Sequence, residues 1–286
     1  MHKVKAKGIL SAGNGMNVYR GCTHGCIYCD SRSSCYQMKH EFEDIEVKEN
    51  APELLEAALK TKRKRCMIGT GAMCDPYLHA ERELEITRRC LELISRYEFG
   101  AAVLTKSDLI MRDIDLLEEI NRKTKAVVQM TLTTADEALC RIVEPNVCTT
   151  RRRFEVLCEM RDRGIPTVIW FTPLLPFIND TEENLLAIMD YARRAGCFGI
   201  ISFGMGLTLR EGDREYYYAA LDKHFPGLKQ RYISRYGNSY ELPSPDNDRL
   251  MRLFVRECRQ SGIEYRQDRI FHYMNEFPES EQLTLF

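Results

Sequence analysis

The sequence has no long apolar run, no excess charge of either sign and no internal repeat. Its longest apolar stretches, at 167–178 and 198–209, are short or broken by Pro, Gly and Thr, so a bilayer-spanning helix is excluded. Lys and Arg number 41 against 42 Asp and Glu, leaving a formal net charge of -1. Without a global positive field, any contact with nucleic acid must rest on a local patch. The opening MHKVKAKGILSAGNG lacks the apolar core of a secretory leader, so a cytoplasmic protein with no targeting segment is expected. In that setting the 12 cysteines do not suggest a disulfide scaffold, and those that cluster read as metal or redox sites. A hydrophobic content of 44% against 29% charged is a globular balance, which excludes simple disorder.

Apolar, β-rich runs occur at 17–19, 66–68, 101–104, 126–132, 167–171 and 200–203. Helical spacing lies between them: Ile86, Cys90, Leu93 and Tyr97 recur at i, i+4, i+7 and i+11, and Leu185, Ile188, Met189 and Ala192 at i, i+3, i+4 and i+7. Asp180 with Glu183 reads as an N-cap and its reciprocal acid, and Ser244 before Pro245 as a cap followed by a first-turn proline. Gly100, Gly164, Gly196 and Gly262 each follow a helical pattern, where a left-handed residue ends a helix at low cost. Strands alternating with helices imply a parallel sheet with right-handed crossovers. Curled, this is a partial (β/α)6 barrel of the TIM type; a flat doubly wound sheet is the alternative. The expected division is a barrel core at 1–210, a C-terminal helical extension at 211–276 and a tail at 277–286. Cys66, Cys90, Cys158 and Cys197 fall in apolar periodic segments and read as small core residues.

Cys22, Cys26 and Cys29 stand apart, in YRGCTHGCIYCDSRS directly after the first expected strand. Three thiolates on one short loop can ligate three irons of a [4Fe-4S] cluster and leave the fourth iron open. A structural zinc ion would need a fourth ligand, for which His24 or Cys35 is the natural choice.

This C-x3-C-x-aromatic-C loop, with Tyr28 before the last cysteine, resembles the hallmark of the radical S-adenosylmethionine superfamily. More of the chain, from about Gly13 to Asp180, resembles its spore photoproduct lyase-like branch, sometimes labelled DNA repair photolyases. The segments GTGAMCDPYLHAE, VLTKSDLIMRDIDLL, TLTTADEALCRIVEP with RRRFEVL, and GIPTVIWFTPLLPFIND carry that likeness. The resemblance implies a partial barrel of the radical SAM type. It also implies a [4Fe-4S] cluster whose open iron binds S-adenosyl-L-methionine, reductive cleavage to a 5'-deoxyadenosyl radical, and an external electron donor of the flavodoxin or ferredoxin type. Carried over position by position, Tyr28 would lie against the adenine and Lys106 would meet the methionine carboxylate. Gly69, Thr70, Gly71, Cys74, Ser107 and Thr131 would complete the pocket. For Ser107 and Thr131 the plain alternative is a strand-end hydroxyl bonded to its own backbone. One position departs from the branch: the lyase cysteine that returns a hydrogen atom to the product aligns with Ala72. Cys74 or Tyr77 could relay hydrogen instead, with a pocket-wall role as the alternative.

Several further residues are candidates. Residues 60–65, KTKRKR, look like a nucleic-acid patch, yet they precede the second strand and so belong to the face opposite the chemistry. Arg151, Arg152 and Arg153 open a helix against its dipole, which suggests an anion near the active face. His79, Glu81 and Glu144 could touch a cofactor or serve as helix caps. Tyr216, Tyr217 and Tyr218 with Phe225 could stack on bases, but consecutive tyrosines cannot share one helix face, so packing is the better reading. His2, His40 and His224 show no ligand spacing and read as surface residues. The closing QLTLF resembles the peptide by which repair proteins dock on the bacterial β sliding clamp. Gln282, Leu283, Leu285 and Phe286 would fill its pockets, against the alternative of a tail folded onto its own barrel. The functional expectation is a radical SAM enzyme acting on DNA or another nucleic acid. The rivals are radical chemistry on a peptide or small metabolite, and a non-catalytic iron-sulfur module that recruits partners.

Overall fold

The computed structural model describes residues 1–278. Six parallel strands form one sheet: β1 (Gly15–Met16), β2 (Met67–Thr70), β3 (Gly100–Thr105), β4 (Ala126–Thr131), β5 (Thr167–Trp170) and β6 (Gly199–Ile201). Their spatial order follows their chain order. A doubly wound sheet reverses that order at a switch point, so the flat alternative fails and the sheet is an open, partial barrel. Every residue of β4 is buried, as expected of a central parallel strand covered on both faces.

The crossover helices include Ala51–Thr61, Ile86–Arg96, Ile114–Lys123, Thr150–Asp162 and Glu182–Ala195. Each turns an apolar stripe to the sheet; Ile86, Cys90 and Leu93 are buried, as are Leu185, Ile188, Met189 and Ala192. Cys197 is also buried, while Cys66 and Cys158 are half-buried against the same core. Gly164, Gly196 and Gly262 take the expected left-handed conformation, with φ of 69°, 62° and 67°.

Four boundaries differ from expectation. The first strand is shifted: Gly15–Met16 joins the barrel, whereas Tyr19–Arg20 pairs antiparallel with Glu46–Lys48, itself parallel to His2–Val4. The cap at 180–183 is Thr181, whose side chain accepts from the Asn184 amide, because Asp180 is drawn away to the Ser244 hydroxyl at 2.5 Å. Gly100 opens β3, and the left-handed residue before it is Glu98, φ 56°. The helix Asn247–Ser261 starts two residues beyond Pro245, since Ser244 forms a turn by accepting from the Asp246 amide.

Beyond β6 the chain forms a hairpin, Gly206–Thr208 with Glu241–Pro243, and the helices Asp213–His224, Leu228–Tyr236 and Gln267–Asn275. Tyr217 is fully buried, its hydroxyl 2.9 Å from that of Tyr232, and Tyr216 stacks on Arg32 at 3.7 Å. The tyrosine run therefore packs, because three neighbouring residues point to different sides of one helix. Residues 60–65 end the helix Ala51–Thr61 and lead into the N-terminal end of β2. The tail residues Gln282, Leu283, Leu285 and Phe286 lie outside the described residues.

Candidate active site

The loop that carries the three cysteines crosses the C-terminal ends of the strands, where barrels place their chemistry. Its turns depend on glycine: Gly21 (φ 84°) and Gly25 (φ 70°) adopt left-handed backbone, and a Cβ on Gly21 would stand 2.5 Å from the Phe42 carbonyl oxygen. The Cys22 amide donates to that carbonyl at 3.0 Å, and the Ile27 amide to the Val143 carbonyl at 3.0 Å. Asn146 closes the clamp, donating its side-chain amide to the Thr23 carbonyl at 2.8 Å and its backbone amide to that of His24 at 3.1 Å.

Cys22, Cys26 and Cys29 open onto a cavity of about 320 Å³ whose far wall includes Gly71, Lys106, Thr131 and Trp170. All three are free thiols. Burial pushes the Cys22 thiol up to about 12 and raises Cys26 as well, so a cation must bind to hold them as thiolates. Lys106 crosses the space with its ammonium 5.9 Å from the Tyr28 ring centre. Burial opposes its charge, but the facing Cys26 and Glu144 hold its pKa above the ordinary value. Gly71 (φ 98°) bends the chain out of β2 so tightly that a Cβ would collide with the Leu104 carbonyl.

The zinc alternative does not hold. A tetrahedral ion needs its sulfurs about 3.8 Å apart, given Zn–S bonds of about 2.3 Å. Among the described residues, no three of these cysteines, His24 and Cys35 bring ligand atoms within 4.8 Å of one another. The Cys35 thiol is instead 3.2 Å from Arg210, and His24 Nδ1 faces Asp75 at 3.5 Å.

Other expected site residues are distributed unevenly. Thr131 lines the cavity, while Gly69 and Thr70 lie within β2 and do not. Ser107 also stays off the cavity wall; its hydroxyl accepts from the Leu109 amide and caps the short helix Asp108–Asp113. Cys74 is at the cavity edge, its thiol donating to the Gly21 carbonyl at 2.7 Å, and Ala72 is on the wall beside it. Tyr77 cannot act there. The Asp75 carboxylate accepts its backbone amide at 2.9 Å and turns the chain back, so the ring is buried in the core. Glu81 is likewise structural, accepting from Tyr19, from the Thr87 amide at 3.0 Å and from Arg112 at 2.9 Å. His79 bonds the Asn146 carbonyl at 2.8 Å outside the cavity.

The anion expected near Arg151, Arg152 and Arg153 is internal. Arg153 is fully buried and pairs with the equally buried Glu144 at 2.5 Å, whereas Arg151 and Arg152 remain at the surface with Glu155 and Asp108. Glu144 also accepts the Tyr28 hydroxyl, so the pair anchors the aromatic residue beside Cys29. Asp75, within GTGAMCDPYLHAE, is not among the site residues expected from the sequence. In the structure it accepts from the Thr105 hydroxyl at 2.7 Å and the Lys106 amide at 2.8 Å while facing His24, which ties the ends of β2 and β3 to the cysteine loop. No sequence spacing signals that role.

The sequence model of the radical SAM superfamily matches residues 16–192. The chain belongs to the radical SAM superfamily. Uncharacterized protein Rv2578c of Mycobacterium tuberculosis is 28% identical over 239 residues, covering 80% of this chain and 68% of its own length. A mutant of spore photoproduct lyase matches with a TM-score of 0.66 and 12% identity over 92% of this chain and 79% of its own. Spore photoproduct lyase complexed with a dinucleoside spore photoproduct gives 0.63 and 12% over 91% and 78%. At that identity the solved structures establish the fold. This radical SAM protein is an enzyme whose cofactors are a [4Fe-4S] cluster and S-adenosyl-L-methionine. Its free thiols on a glycine-turned loop, sharing a cavity with the Lys106 ammonium, fit that pair of groups. No helix among the described residues is long and apolar enough to cross a membrane.

Proposed function

We propose that Cys22, Cys26 and Cys29 ligate the cluster and that the cavity takes S-adenosyl-L-methionine for radical chemistry on DNA or another nucleic acid. The observation that carries the reading is the convergence of these thiols with Lys106, Gly71 and Thr131 on one cavity at the strand ends. When bound, the cluster and S-adenosyl-L-methionine together supply a carbon-centred radical able to abstract hydrogen. The residues of the chain do the rest. Lys106 offers a cation to the cofactor carboxylate, and Tyr28 is held by Glu144 as an aromatic wall. Cys74 is two residues from Ala72, the position where the lyase-like branch has its hydrogen donor, and its thiol donates to the Gly21 carbonyl. Support for a nucleic-acid substrate is the spore photoproduct lyase complex with a dinucleoside.

The reading extends to an electron donor of the flavodoxin or ferredoxin type, a barrel core at 1–210, a helical extension at 211–276, and docking of residues 282–286 on the β sliding clamp. The test is made on anaerobically reconstituted protein with dithionite and S-adenosyl-L-methionine, quantifying 5'-deoxyadenosine. Product from the native chain and from Cys35→Ala, but from none of Cys22→Ala, Cys26→Ala or Cys29→Ala, is the expected result. Loss of iron from Cys35→Ala would refute the open-iron arrangement. Product whose yield ignores added damaged or modified oligonucleotides but rises with a peptide or small metabolite would overturn the substrate class.

A further inference from the structure

Far apart in the sequence, His2, His40 and Asp44 converge at the small sheet beside the barrel. One ligand atom from each lies within 4.8 Å of the others. His2 Nδ1 is 3.0 Å from Asp44 Oδ2, and the His2 and His40 ring centres are 4.7 Å apart. The surface reading of these histidines therefore misses a relation that only the fold creates. His2 sits in the strand His2–Val4, opposite Glu46 in a parallel pair, and its amide donates to the Ile45 carbonyl at 2.9 Å. That register fixes the first imidazole over the turn carrying Asp44, whose amide donates to the Glu41 carbonyl at 3.0 Å. The other Asp44 oxygen, Oδ1, faces the Met1 nitrogen at 2.6 Å, so Oδ2 is the oxygen turned toward the His2 imidazole.

We propose that His2, His40 and Asp44 form a site for one borderline divalent transition-metal ion, of the Zn2+, Co2+ or Ni2+ class, separate from the cysteine loop. Two imidazoles and one carboxylate suit such ions, whereas Mg2+ and Ca2+ favour oxygen-only sets. Three protein ligands leave a coordination position open to water. His40 meets the Glu41 carbonyl at 3.1 Å on Nδ1 and Glu46 Oε2 at 3.6 Å on Nε2, so an acceptor is present for whichever ring nitrogen faces away from the ion. The ion would brace the segment containing Phe42, whose carbonyl holds the Cys22 amide. Its position thus links the small sheet to the cysteine loop.

The experiment is an anaerobic Co2+ titration of the full chain with its cluster loaded, read by visible d–d absorption. One equivalent should bind without sulfur-to-cobalt charge transfer and be displaced by Zn2+. Each of His2→Ala, His40→Ala and Asp44→Asn should weaken binding by at least about tenfold with iron content unchanged. The same equivalent should persist in a variant carrying Cys22→Ala, Cys26→Ala and Cys29→Ala, whether or not the cluster assignment stands. Absence of any bound equivalent, wild-type affinity in the three variants, or a charge-transfer band that survives the histidine substitutions would each overturn the site.

Discussion

Removing Arg153 tests whether the buried pair beneath the cavity holds the site together. Arg153 and Glu144 are both fully buried, and the guanidinium also donates to the Thr131 carbonyl at 2.9 Å and to the Cys148 carbonyl at 2.8 and 3.0 Å. Burial opposes the Glu144 charge, but Arg153 and Lys106 outweigh it and hold the carboxyl below its ordinary pKa. Arg153→Met strands that carboxylate, and breaking one side of a buried pair costs about 3–5 kcal/mol. At about 2–4 °C per kcal/mol for a chain somewhat smaller than this one, melting should fall by roughly 6–20 °C. Glu144→Gln with Arg153→Met removes both charges and should recover at least about 2 kcal/mol of the loss, because no isolated charge is left. The pH dependence follows from the same pair. A depressed carboxyl contributes stability above its unfolded pKa and loses it as pH falls through the folded value. In Arg153→Met the carboxyl instead takes up a proton, so the gap from wild type should narrow between pH 7.5 and pH 5. Thermal melts of the two single variants and the double variant at both pH values decide the matter. Additive losses within about 0.5 kcal/mol, or a gap indifferent to pH, would refute the coupling.

Two further substitutions probe the geometry. Gly71→Ala should destabilise by more than about 3 kcal/mol, or prevent folding, because φ is 98° and the new Cβ meets the Leu104 carbonyl; Gly69→Ala, with nothing within 4 Å, should cost far less in the same melts. Asp213 is 1% exposed, with Oδ2 unpaired, and burial raises its pKa to about 6. A carboxyl raised on folding favours the folded state at low pH and penalises it as pH rises through that value. Asp213→Asn, which can still accept the Arg210 amide, should therefore gain about 1 kcal/mol at pH 7.5 and nothing near pH 4. A melting difference of the same size at both pH values would count against that assignment.

What the sequence makes visible here is chemistry carried by neighbours along the chain. Cys22, Cys26 and Cys29 span eight positions, and their glycine turns are local, so the loop can be read before any fold is known. The six strands show as apolar runs because both faces of the sheet are covered. Their edges are less visible: β1 lies at Gly15–Met16 because Tyr19–Arg20 pairs instead with Glu46–Lys48, a segment distant in the sequence. Tyr77 shows how adjacency misleads. It follows Asp75 by two residues, but the turn accepted by that carboxylate points the ring into the core. Distant charge pairs leave even less trace. The arginines at 151–153 conflict with the helix dipole, which signals an anion, but nothing in the spacing says that Arg153 alone turns inward or that Glu144 receives it. The same is true of His2, His40 and Asp44, whose meeting depends on the register of a strand pair outside the barrel. A local motif therefore points to the cofactor chemistry, while the contacts that position the side chains around it are made only when the strands assemble. Asp75 and Glu144 show this at the cavity, since one accepts the backbone amide of Lys106 and the other the hydroxyl of Tyr28.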